Sequence, residues 1–489
     1  MEELPVGTVV STTVPPRLDR LAWSGWHQRV ILALGITWIL DGLEATLISA
    51  AGPVLTKPDT LGLTEGQVGL ANGCYLAGEV AGALVFGHFT DRYGRKRLFL
   101  VTIALYLVST ALTGASPNLV FFAICRFFAG SGIGGEYAAI NSAIDELVPA
   151  RVRGHVDLVV NGSYWLGVAM GAALTVVLLN PSLLPHAIGW RLIFGRGAIL
   201  GVAILRVRRD VTESPRWLVM HGRLAEADAL ATQIEEAVRG PDERPEPAPP
   251  PVRVRVSGAV GFRYVANMVL SRHRRRAALG LVLMVAQAFF YNSIFFSYGL
   301  VLHRFYDVPV EHIGLYLIPF AVGNFLGPVL LGRLFDTVGR RVMICTTYVL
   351  SGVLLTVTGW AFANGWLTAT TQTLAWCVVF FVASAAASSA YLTVSELFPV
   401  EIRGIAIALF FSIAAGVSIV APIVFGVIIQ SGSRSALFAA MGVAAALMVA
   451  AGLAAGVLSE DAEQKSLEHL ACDPGFPTPR PEGISAGSR

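Results

Sequence analysis

Two carboxylates, Asp41 and Glu44, interrupt the otherwise apolar run WILDGLEATLISA (Trp38–Ala50), in a segment long enough to cross a bilayer. A charged side chain at bilayer depth costs about 2.5–3.5 kcal/mol on insertion scales, so acids there need a partner or a task. At positions i and i+3 the two share one helix face. That face must look into a helix bundle or a hydrated passage, not at lipid. A carboxylate alone in apolar surroundings holds its proton, whereas one beside an arginine gives it up. If Glu44 pairs with Arg126 in one state and loses it in another, it loads a proton on one side of the membrane and releases it on the other. The plainer alternative is a static buried ion pair that sets helix register.

The other ionisable residues at membrane depth are Glu79, Glu136 and Arg196, and all lie in the first half of the chain. For these three the static reading is preferred. Deep polar residues of the second half are neutral: Gln287, Asn292, Asn324 and Gln372. This asymmetry places proton chemistry in the N-terminal half and assigns substrate contacts to the C-terminal half.

The elements that must position these groups follow from composition. Of 489 residues, 54% are hydrophobic and only 14% charged, with a mean hydropathy of +0.64. A soluble chain of this length needs more charge to cover its surface. Apolar runs of about 20 residues, the span of a bilayer, fall at 29–51, 67–89, 98–116, 118–145, 156–180 and 188–206. A second set falls at 277–302, 311–334, 342–363, 366–394, 404–430 and 434–458. The expectation is an all-α, twelve-span membrane protein. Residues 1–28 form a polar lead, 29–206 one six-helix bundle, 207–276 a linker, 277–458 the second bundle and 459–489 a disordered tail. The lead is too long and polar for a cleaved signal peptide. Within the linker, PDERPEPAPPP reads as a semi-rigid spacer, and RWLVMHGRLAEADALATQIEEAV as short helix with one apolar face.

Lys and Arg concentrate in alternate loops, at Arg92–Arg97, Arg151 and Arg153, RHRRR (Arg272–Arg276), and Arg340–Arg341. Those loops should face the cytoplasm, with both termini, in a plasma or inner membrane. A net charge of +3 spread over such loops gives no reason to expect nucleic acid. Five cysteines without paired or metal spacing, and nine scattered histidines, give none to expect a metal, a cofactor or an enzyme. A monomer is expected.

The chain also repeats itself. GHFTDRYGRKR (Gly87–Arg97) recurs as GRLFDTVGRRV (Gly332–Val342), and ELVPARVRG (Glu146–Gly154) as ELFPVEIRG (Glu396–Gly404). Two unrelated motifs at nearly one offset mark a duplicated six-span unit, a construction that places a transport site between halves near the midplane. These loops resemble the signature of the major facilitator superfamily. RFFAGSGIGGE (Arg126–Glu136), the two Glu-x-x-Pro boxes and ESPRWL (Glu213–Leu218) are similar to its sugar-porter and metabolite–proton-symporter branch. The resemblance covers about residues 25–460. It implies two pseudo-symmetric six-helix bundles working by alternating access. It also implies loop charges that latch one access state: Asp91, Arg95, Glu146, Arg153, Glu213 and Arg216, with Asp336, Arg340, Glu396 and Arg403 opposite. Topology alone is the plainer reading of the basic residues. GLEATLIS resembles the sugar-porter first-span motif, whose acid corresponds to Glu44, and Arg126 matches the fourth-span arginine that pairs with it, so the resemblance makes Glu44 the expected proton carrier, with Asp41 second.

Gln287 and Asn292 match the glutamine and asparagine that contact sugar in that branch. Asn161, Tyr391 and Tyr298 complete the expected substrate contacts. Departures are Ala286 for the first glutamine of the pair, Asn161 for a longer amide and Tyr391 for a tryptophan. Fewer amides make a hexose doubtful, and DGLE approximates the first-span motif of carboxylate symporters. The resulting expectation is a proton symporter of a small polar metabolite, an organic acid before a sugar. Proton-coupled efflux, an uncoupled facilitator and a transporter-like nutrient sensor stay open.

Overall fold

A computed structural model describes residues 8–93, 95–148, 153–195, 213–239, 247, 249–255, 274–397 and 400–458. Side chains are described for these except 34, 48, 88, 90–97, 137–146, 153–155, 157–158, 255, 336 and 395–405. Among the described residues, ten helices are long and apolar enough to cross a membrane. Leu98–Gly114 is a shorter apolar helix at the position of the third span, and residues 186–195 are helix at the start of the sixth. Large aliphatic side chains such as Leu330, Val357, Val427 and Leu453 remain exposed on the outer faces. On a membrane protein that is the surface lipid covers.

Glycines let the spans touch backbone to backbone, the usual membrane solution where apolar surface alone gives no driving force. A Cβ at Gly42 in the first span would collide with the Tyr164 carbonyl of the fifth. One at Gly130 in the fourth would collide with the Tyr75 carbonyl of the second. Both contacts hold a tyrosine in place. Gly339, in the loop before the ninth span, has φ 110°, a conformation suited to glycine.

The seventh span is two helices, Arg274–Phe295 and Tyr298–Tyr306. At the break, Ser49 Oγ of the first span donates to the Phe295 carbonyl at 2.7 Å, and Gly299 packs on the Ser49 backbone. A freed helix carbonyl thereby finds a partner in the opposite bundle.

Between the bundles, two short helices are described, Pro215–Met220 and Leu224–Val238. The lead is folded onto them. Val9–Thr12 pairs antiparallel with linker strand Val252–Arg255, immediately after the proline tract, with Val10 opposite Val254. Helix Val14–Arg20, with Pro15 and Pro16 in its first turn, buries Val14 and Leu18 in a cluster with Trp217, Leu218, Ala231 and Ile234. Arg17 grips Glu235 with two bonds of 3.0 and 2.7 Å and Asp228 with one of 2.6 Å. Arg216 donates to Asp19 at 2.5 Å. The lead and linker therefore form one clasp at the end of the bundle where the first span begins.

Glu235 sits below the ordinary carboxylate value of 4.5, chiefly because Arg17 hydrogen-bonds its charged form. A lowered value stabilises the clasp above about pH 4.5 and withdraws that stability as pH falls through the lowered value. Glu235→Gln should speed proteolytic cutting between Arg239 and Arg255 several-fold at pH 7. Acidification should accelerate cutting in the wild type and leave the variant nearly unchanged. Equal rates for both proteins at pH 7 would show that the ion pair holds nothing.

Candidate substrate cavity and proton site

A cavity of about 140 Å³ lies between the two bundles. Where one water takes about 10–15 Å³, that is room for roughly ten waters or a solute of similar heavy-atom count. The N-terminal bundle contributes Asp41, Glu79, Asn161, Trp38, Tyr75, Tyr164 and Trp165. The C-terminal bundle contributes Gln287, Asn292, Tyr291, Ser384, Ser388, Tyr391 and the rings of Phe295, Phe296 and Phe411. Trp38 meets Tyr391 edge to face across the bundles at 6.0 Å, on the clasp side. Trp165 packs against Tyr291 and Phe295 at 5.6 and 5.4 Å.

Helical spacing explains which residues reach the cavity. Trp38, Asp41 and Ala45 follow the i, i+3, i+7 row of the first span, and Tyr75, Leu76 and Glu79 the i, i+1, i+4 row of the second. Glu44, three residues beyond Asp41, points deeper into its own bundle. It is 0% exposed and ion-paired with Arg126, which is also 0% exposed. Tyr106 donates to the second oxygen of Glu44 at 3.1 Å. The Arg126 guanidinium lies 4.2 Å over the Tyr75 ring, a favourable cation–π arrangement when desolvated. The Tyr75 hydroxyl donates to Asp41 at 2.8 Å, and Glu79 lies beside the same hydroxyl. One tyrosine thus connects the buried ion pair to the cavity wall. Among the described residues, Arg126 Nε and Nη2 have no acceptor, so the guanidinium can take a second carboxylate.

Four of the five expected substrate contacts, Asn161, Gln287, Asn292 and Tyr391, line the cavity. Tyr298 does not. Its ring packs on Phe320 and Trp376, and its hydroxyl bonds Thr373 at 2.8 Å in the C-terminal core. The helix break at Phe296–Ser297 rotates the register that would have carried it inward. Asn324 and Gln372 are core amides bonded to Tyr291 and Tyr306. Glu79, read as static, stands on the cavity wall. Trp38, Tyr164, Trp165 and Phe411 were not singled out, since aromatics in apolar helices carry no signal separating wall from core.

Of the latch residues, Arg216 pairs with Asp19, Glu213 stands two residues before the Pro215–Met220 helix, and Arg340 is buried at the start of the ninth span. Side chains of Asp91, Arg95, Glu146, Arg153, Asp336, Glu396 and Arg403 lie outside the described residues, as does Arg196. The expected tail, 459–489, lies outside them too.

Two helix bundles thus pack around a central cavity, and one of them holds a buried acid–arginine pair. The chain belongs to the family described as sugar (and other) transporter, which matches residues 44–465. That family is one of transporters, not of enzymes, and ten of the described helices are long and apolar enough to cross a membrane. It is 29% identical over 219 residues to the niacin transporter NiaP of Acinetobacter baylyi, covering 45% of this chain and 48% of that protein, so the match spans about half of that relative. It is 26% identical over 409 residues to the putative metabolite transport protein YaaU of Escherichia coli, covering 81% and 84%. The proton:xylose symporter XylE bound to 6-bromo-6-deoxy-D-glucose shares the fold, at TM-score 0.71 and 19% identity, covering 91% of this chain and 98% of that one.

A single neutral hydrogen bond contributes about 0.5–1.5 kcal/mol. Gln287→Ala and Asn292→Ala should therefore each raise the half-saturation concentration of a transported solute about three- to tenfold with an unchanged melting midpoint. Tyr298→Phe should do the reverse, lowering the midpoint and sparing half-saturation. Transport kinetics and thermal unfolding of the three variants check this separation.

Proposed function

We propose that this transporter carries a small polar metabolite across a cell membrane by alternating access, as a proton symporter. Glu44 is the proton carrier and Arg126 its exchanging partner. The observation that supports this most is the Glu44–Arg126 pair itself, withdrawn from the cavity yet joined to Asp41 through Tyr75. Protonating Glu44 removes the charge that holds Arg126, and the guanidinium's spare donors then turn to the carboxylates on the cavity side. Cavity and proton site thereby sense each other without sharing a ligand. The related proteins, a niacin transporter and a xylose symporter, support a solute of about ten heavy atoms. Asn161, Gln287, Asn292 and Tyr391 supply its hydrogen bonds. The basic loops and the clasp face the cytoplasm, and the ten loop charges latch one access state.

The test is uptake into proteoliposomes across an imposed pH gradient. A gradient of one unit is worth about 1.36 kcal/mol per proton, enough for about tenfold accumulation at one proton per solute. The wild type should reach that level. Glu44→Gln should only equilibrate solute, while still exchanging it. Accumulation by the variant with wild-type pH dependence would remove Glu44 from the coupling role.

A further inference from the structure

Tyr75 stands where the proton site meets the cavity, and its two ends make different contacts. Its ring lies 4.2 Å from the Arg126 guanidinium, and its hydroxyl donates to Asp41 at 2.8 Å. The same side chain lines the cavity. Around this point the second and fourth spans touch backbone to backbone. A Cβ at Gly78 would collide with the Phe127 carbonyl, one at Gly130 with that of Tyr75 and one at Gly134 with that of Glu79. Arg126 lies one turn before Gly130 on the same helix face. Helices packed so closely do not slide, so a change of partner at Arg126 is made by side chains alone.

A proton on Glu44 sets such a change in motion. The guanidinium loses its paired anion, while the face of the Tyr75 ring still attracts it where water is excluded. Asp41 is the anion at the hydroxyl edge of that ring. A guanidinium engages a carboxylate through both oxygens, and so takes the Oδ1 that Tyr75 holds while Glu44 is charged. The hydroxyl then turns to the cavity. We infer that Tyr75 is the positioning residue that couples the two sites: its ring retains Arg126 while Glu44 is protonated, and its hydroxyl passes from Asp41 to an acceptor atom of the solute. This rests on the symport reading above and deepens it. A proton on Glu44 frees a donor for the solute and, by linkage, a bound solute favours the proton. That is the sign a symporter needs. It also requires the solute to carry an oxygen or nitrogen acceptor at this end of the cavity.

The titratable groups facing Glu44 and the Tyr75 hydroxyl come from five spans. They are Asp41 of the first, Glu79 of the second, Tyr106 of the third, Arg126 of the fourth and Tyr164 of the fifth. Tyr106 donates to Glu44 itself and so also senses the proton, but it stands outside the cavity wall. Tyr75 both touches Arg126 and faces the solute.

The test is infrared difference spectroscopy of the full-length protein in lipid vesicles, recorded across a pH titration with no solute present. The protonated-carboxyl band that disappears in Glu44→Gln belongs to Glu44. Tyr106→Phe serves as the reference protein, because it removes the tyrosine signal of Glu44's own partner. In that protein, protonating Glu44 should shift a tyrosine C–O band as the Tyr75 hydroxyl changes acceptor. Adding Tyr75→Phe should abolish the shift while retaining the Glu44 band, which also shows that the ion-pair region is still folded. Tyr75→Leu, which removes the ring as well, should shift the midpoint of the Glu44 titration relative to Tyr75→Phe. A tyrosine shift that survives Tyr75→Phe, or none in the reference protein, would overturn the inference, and so would equal midpoints for the phenylalanine and leucine variants. Each of those results leaves Glu44 as proton carrier. A carboxyl band unaffected by Glu44→Gln would instead remove that role, and the inference with it.

Discussion

Everything in the N-terminal bundle is arranged around the cost of keeping a guanidinium out of water. Arg126 is fully enclosed by protein, so its charge must be met locally, and Glu44 meets it from the first span. Tyr106 steadies the far oxygen of Glu44 from the third span, and the Tyr75 ring lies under the guanidinium from the second. Four helices are thereby tied to one charge pair. Such pairs are weak sources of net stability, because desolvation offsets most of the Coulomb gain. Breaking one by removing a partner, however, strands the other charge. The pair therefore gives the bundle two discrete conditions, paired or broken, and little in between. A switch requires that property.

Glycine packing converts the local condition into a rigid body. Gly42 against Tyr164 and Gly130 against Tyr75 leave no room for slippage between adjacent spans, so the cavity-facing tyrosines move only with their helices. The opposite bundle is built otherwise. Its polar residues at depth are neutral and several are consumed in its core, as Tyr298, Asn324 and Gln372 show. Its seventh span is interrupted where it meets the first, and the freed Phe295 carbonyl is capped from across the interface by Ser49. A bond of that kind can be remade with water when the bundles part, so the interface opens without leaving an orphaned group.

How much of this could be read from residues alone depends on whether the signal is local. Span positions follow from runs of apolar residues, and the duplication from repeated loops, so both were legible. The Glu44–Arg126 pair was legible because buried opposite charges have few places to go. Tyr298 was misplaced because two residues of broken helix rotate everything after them, and no residue at Phe296 or Ser297 announces the break. Glu79 was undervalued for a different reason: whether an acid faces a bundle core or a cavity depends on rotation of its helix, which a one-residue periodicity argument does not fix. The strand pair joining Val9–Thr12 to Val252–Arg255 was invisible, since four-residue strands more than two hundred positions apart leave no periodic trace.

The same desolvation argument connects the charge pair to the transport cycle. On the proposed reading, an empty cavity with Asp41 and Glu79 both ionised places two like charges in a closing, drying space. Closure raises their repulsion as water leaves, so that condition is the one least able to change sides. Protons on the pair remove the penalty. A carrier built this way does not cycle idly when empty and ionised, and it needs no separate lock to prevent that. On that reading the cavity's own charge does the gating, and the proposed loop latches need only hold whichever side has already closed.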